Sequence, residues 1–262
     1  MHVLLPPSEI KRSGGSSPFA LDRLAFPELT ERRQLLRDAL IDLSRDREAA
    51  ARALKLGPRQ LEEIDRNAAL ASSRAMPAVD RFDGVLFDAL DAGSLDADAR
   101  ERLGRSVIIQ SALWGPVGAL DEIPAYRLSH DSRIPGLPLK RWWAEPASAV
   151  LAGLSGLVLD LRSEAYASLG PLALGDDRRF VRVRSRDASG VLRNLNHFNK
   201  QGKGRFVRAL VEDGVQSDSL EELADWARGG VRADAERLDE RGRSRGARGA
   251  DPHAAARKQP AR

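Results

Sequence analysis

The chain has 262 residues, of which 42% are hydrophobic and 31% are charged, and its formal net charge at pH 7 is +4. This composition supplies enough apolar material for one large domain or two small ones. Cysteine is absent, which excludes disulfide partners, zinc–thiolate sites, iron–sulfur clusters and thiol chemistry. No apolar run is long enough to span a bilayer and no signal-peptide pattern is present, so we expect a cytoplasmic protein without a membrane partner.

Helices and strands are predicted to alternate along the chain. Short apolar runs predict strands over residues 2–5, 105–115, 156–166 and 179–187. Helices are predicted over most of 27–64 and over 96–103, 142–151, 201–213 and 220–227, with Ser219 as the cap of the last, whereas 85–90 fits either a strand or a helix. This alternation predicts a mixed α/β (α+β) fold in which helices cover a central sheet.

A helical hairpin is predicted within the N-terminal helical region. Residues 46–67 are typical of a helix, a tight turn at Gly57 and Pro58, and a second helix, because proline is tolerated in the first turn of a helix. Such a hairpin could present backbone N–H groups and cations, here Lys55, Gly57 and Arg59, to a DNA phosphate. A helix-hairpin-helix DNA-binding motif usually has a second glycine where this chain has Arg59. An ordinary hairpin that packs on the sheet is therefore an equal alternative.

Polar side chains follow each predicted strand. In sheets covered by helices, ligands bind beyond the strand ends, where loops converge. If these ends meet, they form one wall of a shared cleft from Ser8, Glu9, Lys11, Tyr126, Arg127, Ser163, Glu164, Tyr166, Lys200 and Lys203. Separate solvent-exposed turns are the alternative interpretation.

The strongest electrostatic signal lies in residues 178–208, which contain ten basic side chains and a single acidic one. Arginines at 182, 184 and 186 alternate along a predicted strand and would project from one face. The glycine-rich stretch 201–204 predicts a flexible turn before a helix, whose N-terminus suits a phosphate. The cations that we expect to line a basic groove are Arg182, Arg184, Arg186, Lys200, Lys203 and Arg205. A charged face balanced by acids elsewhere is the alternative.

Residues 229–262 form a basic tail, with nine basic and five acidic side chains that account for the whole net charge of +4. The tail has almost no large apolar residues, so it cannot offset the entropy that ordering would cost. We predict one folded domain over residues 1–228 and a disordered tail over 229–262. The tail is either a loose arm that touches nucleic acid or a solvated segment without a specific role.

Other functional motifs do not fit the sequence. There is no phosphate-binding loop of the Walker type and no nucleophile elbow. The histidines are scattered, without the spacing of a metal site. We therefore predict no metal and no cofactor.

Four segments resemble one known family. They are LLPPSE at 4–9, SALWGPVGALDEIPAYRL at 111–128, DLRSEAY at 160–166 and NHFNKQGKGR at 196–205. Their order and spacing over about residues 1–227 resemble the peroxide stress protein YaaA family, also called UPF0246 or DUF328. The element PYRL has become PAYRL in this chain, a small departure from the family pattern.

The resemblance implies a cytosolic bacterial protein that is linked to survival of hydrogen peroxide stress and to limiting unincorporated iron. It also implies DNA binding through a positively charged cleft and a helix-hairpin-helix element, on a fold that resembles no common one. The family's basic segment matches Lys200, Lys203 and Gly204. Its polar strand-end residues match Ser8, Ser163, Glu164 and Tyr166.

Three functions are open at this point. DNA binding would be largely independent of sequence and sensitive to salt, with Ser8, Lys11, Arg127 and Ser163 adding phosphate contacts to those of the basic groove. An enzyme acting on a phosphorylated small molecule or nucleotide would use Glu9 or Glu164 as base, Tyr166 as acid, and Lys200 and Lys203 as phosphate clamps. An interaction module would dock an acidic protein. A long open groove favours DNA, a closed pocket around both glutamates favours the enzyme, and a flat patch favours the module.

Overall fold

A computed structural model describes residues 1–181, 185–186, 192–193 and 196–229, with backbone alone at 185–186, 192–193 and 196–198. Residues 230–262 of the predicted tail lie outside the described residues, as do Arg182, Arg184 and the side chain of Arg186. The chain divides into two compact units, Met1–Asp218 and Ser219–Arg262. In the second unit residues 220–229 are helical, and the hydroxyl of Ser219 accepts a hydrogen bond from the N–H of Glu222, at 3.2 Å, as predicted for a cap. The predicted domain boundary at residue 228 stays a prediction.

The first unit contains ten strands and nine α-helices within its described residues. The strands are β1 (His2–Leu5), β2 (Ser17–Pro18), β3 (Arg74–Pro77), β4 (Val107–Ser111), β5 (Gly115–Gly118), β6 (Glu122–Pro124), β7 (Val158–Asp160), β8 (Arg178–Phe180), β9 (Ser185–Arg186) and β10 (Leu192–Arg193). The helices are α1 (Thr30–Leu43), α2 (Arg47–Leu54), α3 (Glu62–Ala68), α4 (Ala78–Arg81), α5 (Val85–Leu90), α6 (Ala97–Ser106), α7 (Leu139–Ala152), α8 (Glu164–Ala167) and α9 (Asn196–Glu212). None of the described helices is both long and apolar enough to cross a bilayer.

A five-stranded sheet forms the centre of the fold, in the order β5-β4-β1-β7-β8. Strands β4, β1, β7 and β8 are parallel, and β5 runs antiparallel to β4. Every residue of β4 and β7 is buried, because parallel strands covered on both faces contain continuous apolar runs. The predicted mixed α/β fold with a central sheet is thereby confirmed.

The strand order creates a topological switch point between β1 and β7. Within this sheet, the strand that follows β1 in the chain is β4, which lies on one side of β1. The chain later returns to form β7 on the other side of β1. The loops that leave the carboxyl ends of β1 and β7 therefore diverge, and this divergence opens a crevice where ligands bind in sheets of this kind.

The N-terminal hairpin is present, formed by α2, a turn and α3. The carboxylate of Asp46 caps α2 by accepting hydrogen bonds from the N–H groups of Glu48 and Ala49. Lys55 ends the helix in the left-handed region, with φ of 56°. A second sheet, in the antiparallel order β2-β3-β6, completes this part of the fold.

The prediction of a flexible glycine turn at 201–204 is wrong, because these residues lie inside α9. Helix α9 packs against α5, and Gly204 lies against the backbone of α5. A Cβ at Gly204 would collide with the carbonyl oxygen of Leu86 and would lie 2.9 Å from the nitrogen of Leu90. The glycine therefore serves helix packing and does not open a phosphate-binding helix terminus.

Candidate functional site

A cleft of about 920 Å³ opens at the switch point, beyond the carboxyl ends of β1 and β7. Residues 6–10 after β1 form one of its walls, and residues 162–164 and 166 after β7 form another. The start of α5 and one side of α9 form the others. Eight of the predicted cleft residues line it, namely Ser8, Glu9, Arg127, Ser163, Glu164, Tyr166, Lys200 and Lys203. The strand ends therefore converge, and the interpretation as separate turns is wrong.

Lys11 lies beneath the cleft and is only 5% exposed. Its Nζ stands 4.2 Å from the ring centroid of Tyr126 and 5.6 Å from that of Phe82, and donates a hydrogen bond to the carbonyl oxygen of Glu9 at 3.2 Å. Burial lowers the pKa of Lys11 to about 7, and the nearby charge of Arg127 acts in the same direction. The expectation that Lys11 lines the cleft is therefore wrong, since its ammonium faces aromatic rings.

Tyr126 is also buried beneath the cleft and does not line it. Its hydroxyl lies 2.7 Å from the hydroxyl of Ser111, which accepts hydrogen bonds from the N–H groups of Leu113 and Trp114. Burial raises the pKa of Tyr126 well above its ordinary value. Tyr126 therefore stays neutral and packs against Trp114 and Lys11 in the core.

Glu9 and Arg127 form an ion pair on the cleft wall, with 2.8 Å between Oε2 and Nη2. The hydroxyl of Ser129 donates to Oε1 of Glu9 at 3.3 Å. The side chain of Asn67 holds the backbone of Arg127 through two hydrogen bonds, of 2.7 and 2.9 Å. The position of this pair is therefore fixed, and Glu9 offsets most of the positive charge that Arg127 would offer a phosphate.

Tyr166 and His130 meet edge to face in the cleft, with 5.2 Å between ring centroids. Ser163 caps the short helix α8, accepting from the N–H of Tyr166 at 3.5 Å. Burial raises the pKa of Tyr166 to about 12, and its hydrogen bonds with the side chain of Ser129 and the backbone of His130 oppose the shift. Tyr166 therefore keeps its proton at neutral pH. The sequence reasoning missed His130, although it closely follows the PAYRL element.

A buried ion pair supports the floor between β7 and α8. The guanidinium of Arg162 contacts both carboxylate oxygens of Asp160, at 2.9 and 2.6 Å. It also donates to Oε1 of Gln110 at 3.0 Å and to the carbonyl oxygen of Gly170 at 2.9 Å. Sequence reasoning missed this pair, and the available signal was a pair of opposite charges inside the apolar run LVLDLR.

Lys200 and Lys203 bring positive charge to the cleft from one side of α9, since residues three apart share a helix face. Lys200 is exposed, whereas Lys203 is buried and donates to the carbonyl oxygen of Leu161 at 2.7 Å. Burial lowers the pKa of Lys203. The negative charge of Asp160 opposes that shift, and the positive charge of Lys200 adds to it. Arg205 is exposed but does not line the cleft.

Among the described residues of the hairpin, Gln60 is the one that lines the cleft. The side chain of Gln60 accepts the N–H of Gly57 at 3.1 Å, so this amide already has a partner. Lys55 is paired with Asp131, at 2.5 Å. Arg59 is exposed and lies off the cleft. The DNA role predicted for the hairpin stays a prediction, and these contacts favour a structural one.

A family model described as peroxide stress protein YaaA matches residues 1–237. The chain is similar to a UPF0246 protein of Streptomyces coelicolor, 40% identical over 233 residues that cover 87% of this chain and 89% of the relative. It is equally similar to a UPF0246 protein of Corynebacterium efficiens, 40% identical over 235 residues that cover 87% of this chain and 92% of the relative. A UPF0246 protein of Ruegeria is 29% identical over 181 residues, covering 66% of this chain and 71% of the relative.

Proposed function

Because this chain belongs to the peroxide stress protein YaaA family, we propose that it acts in the hydrogen peroxide response by binding DNA in the cleft between β1 and β7. The observation that carries the proposal is the convergence of Lys200 and Lys203 with the hydroxyls of Ser8 and Ser163 on one concave surface. Ammonium and hydroxyl groups are typical phosphate ligands. Contacts of this kind predict binding that is largely independent of base sequence.

The charge balance of the cleft favours α9 as the phosphate-binding wall. Arg127 is paired with Glu9, and Arg162 is paired with Asp160, so these two guanidinium groups are already neutralised. Lys200 makes no ion pair with any described residue and is exposed to solvent. It therefore supplies the positive charge that an incoming phosphate meets first.

A protein bound along DNA would also limit iron-dependent damage to that DNA. The chain has no cysteine, so it cannot reduce peroxide through a thiolate or sense it through a disulfide. Protection through DNA contact would be indirect. A protein that covers DNA shields it from oxidants formed nearby, and this action requires no iron site on the protein.

A second candidate function follows from the acids in the cleft. Glu9, Glu164 and Tyr166 line the same cleft, whose 920 Å³ falls within the range of about 300–1,000 Å³ that small-molecule sites occupy. Tyr166 keeps its proton and would be the acid of such a reaction, with Glu9 or Glu164 as its base. The candidate is an enzyme that acts on a phosphorylated small molecule or nucleotide.

A binding panel distinguishes the two functions. Fluorescence anisotropy with duplex, junction and single-stranded DNA is measured in the presence and absence of free nucleotides. We expect DNA to bind, Lys200→Ala/Lys203→Ala to weaken that binding at least about tenfold, and micromolar nucleotides to compete poorly. The matched control Lys140→Ala/Arg141→Ala removes two exposed charges from α7, outside the cleft, and should bind as the wild type does. Tight nucleotide binding without DNA binding would instead support the enzyme.

A further inference from the structure

Ile10 places an exposed apolar side chain at the rim of the cleft. It is 63% exposed, and the other large apolar side chains of comparable exposure among the described residues are Leu35 and Leu174. Of these three, only Ile10 lines the cleft. A single exposed apolar residue is ordinary on a protein surface, so the position of Ile10 in the lining of the cleft is what distinguishes it.

The backbone holds Ile10 in this exposed position from both sides. Its N–H donates to the hydroxyl of Ser8 at 3.3 Å, and its carbonyl oxygen accepts from the N–H of Asp83 at 3.1 Å. The next residue, Lys11, forms a backbone bridge with Phe82, and its side chain is anchored in the core. The loop therefore cannot easily turn Ile10 inward, and the β-branched side chain itself has few rotamers.

The adjoining cleft has room for a single nucleotide. Its volume of about 920 Å³ lies within the range of small-molecule sites, which a single nucleotide would fit. The walls carry groups that suit the edge of a base, since Glu9 and Glu164 can accept hydrogen bonds from amino groups, as acidic side chains do with cytosine. Carboxylates beside the phosphate-binding helix would repel the phosphates of DNA. Contacts to the base of a nucleotide that enters the cleft would explain why these carboxylates are there.

We propose that Ile10 is a wedge that enters the base stack of bound DNA, and that the cleft takes up the nucleotide displaced from the stack. This inference rests on the DNA binding proposed above. Apolar side chains inserted between base steps unstack them, and the displaced nucleotide needs a pocket of its own. Lys200 and Lys203 would hold the phosphates that flank it.

The experiment uses the full chain and a short duplex with one central 2-aminopurine placed in a mismatch, where displacement costs least. The fluorescence of 2-aminopurine rises when the base leaves the stack, and the anisotropy of a distant end label reports binding separately. We expect a several-fold rise with the wild type and with Ile10→Leu, and little or no rise with Ile10→Ala at saturating protein. Leu35→Ala is the matched control, which removes an exposed apolar side chain from α1 and should behave as the wild type does.

The two readouts separate the inference from the proposed function. If the wild type binds the duplex without a rise in 2-aminopurine fluorescence, the proposal that Ile10 is a wedge is wrong and the proposal of DNA binding stands. The wedge is also wrong if Ile10→Ala gives the same rise as the wild type at saturation. If the end label shows no binding at low salt, the proposed function itself fails and the wedge fails with it.

Discussion

Asp160→Ala should lower the free energy of unfolding by about 3–5 kcal/mol, the range measured when one partner of a buried ion pair is removed. The side chain of Arg162 is completely buried, and Asp160 is its counterion. Without the carboxylate, the guanidinium keeps, among the described residues, the neutral oxygens of Gln110 and Gly170 as acceptors. Urea denaturation followed by circular dichroism measures the loss.

The double variant Asp160→Leu/Arg162→Met provides the comparison, because it removes both charges together. Replacing a buried ion pair by apolar residues of similar volume is often close to neutral, so the double variant should be clearly more stable than Asp160→Ala. Equal losses in the two variants would contradict the proposed cause, since the buried charge would then not be responsible.

The sequence was sufficient to predict where the cleft lies. Strands β1, β4 and β7 contain continuous apolar runs because helices and neighbouring strands bury both their faces, and polar residues begin where this burial stops. The convergence of Ser8, Glu9, Ser163 and Glu164 follows from parallel strands that end at the same edge of a sheet. Local pattern and topology are therefore enough to bring these residues together.

Tertiary contacts determine what the sequence could not predict. Lys11 has the charge and the loop position of a phosphate ligand, and it is buried because Phe82 and Tyr126, both distant in the chain, present their rings to it. Gly204 has the local sequence of a flexible turn, but close packing against Leu86 keeps it within α9. In both cases the partner that decides the outcome lies far away in sequence.

Lys11 should also make the stability of the protein depend on pH. Burial lowers the pKa of Lys11 from 10.5 to about 7 in the folded protein, so between these values the unfolded chain binds more protons than the folded one. Stability therefore rises with pH across that window, by at most about 1.4 kcal/mol per pH unit. Glu9 and Glu63 favour the charged form, while Arg127 and Arg66 disfavour it.

The test compares the wild type with Lys11→Met by urea denaturation at several values from pH 7 to pH 10. The free energy of unfolding of the wild type should rise relative to that of Lys11→Met as the pH increases, because methionine has no proton to lose. Lys140→Met, at an exposed site on α7, is the control and should show a constant difference from the wild type. A constant difference for Lys11→Met as well would mean that Lys11 keeps its charge, stabilised by the faces of Tyr126 and Phe82.

The salt dependence of duplex affinity tests most directly whether the cleft holds DNA phosphates. The affinity is measured from low to moderate salt for the wild type, for Lys200→Ala and for the control Lys140→Ala. The basic tail is present in all three proteins, so differences between them report the substituted lysine alone. If Lys200 contacts a phosphate, Lys200→Ala will bind more weakly, and its slope of log affinity against log salt will be shallower by about 0.9, while Lys140→Ala matches the wild type. If Lys200→Ala and the wild type have the same affinity and slope, the cleft is not where DNA binds.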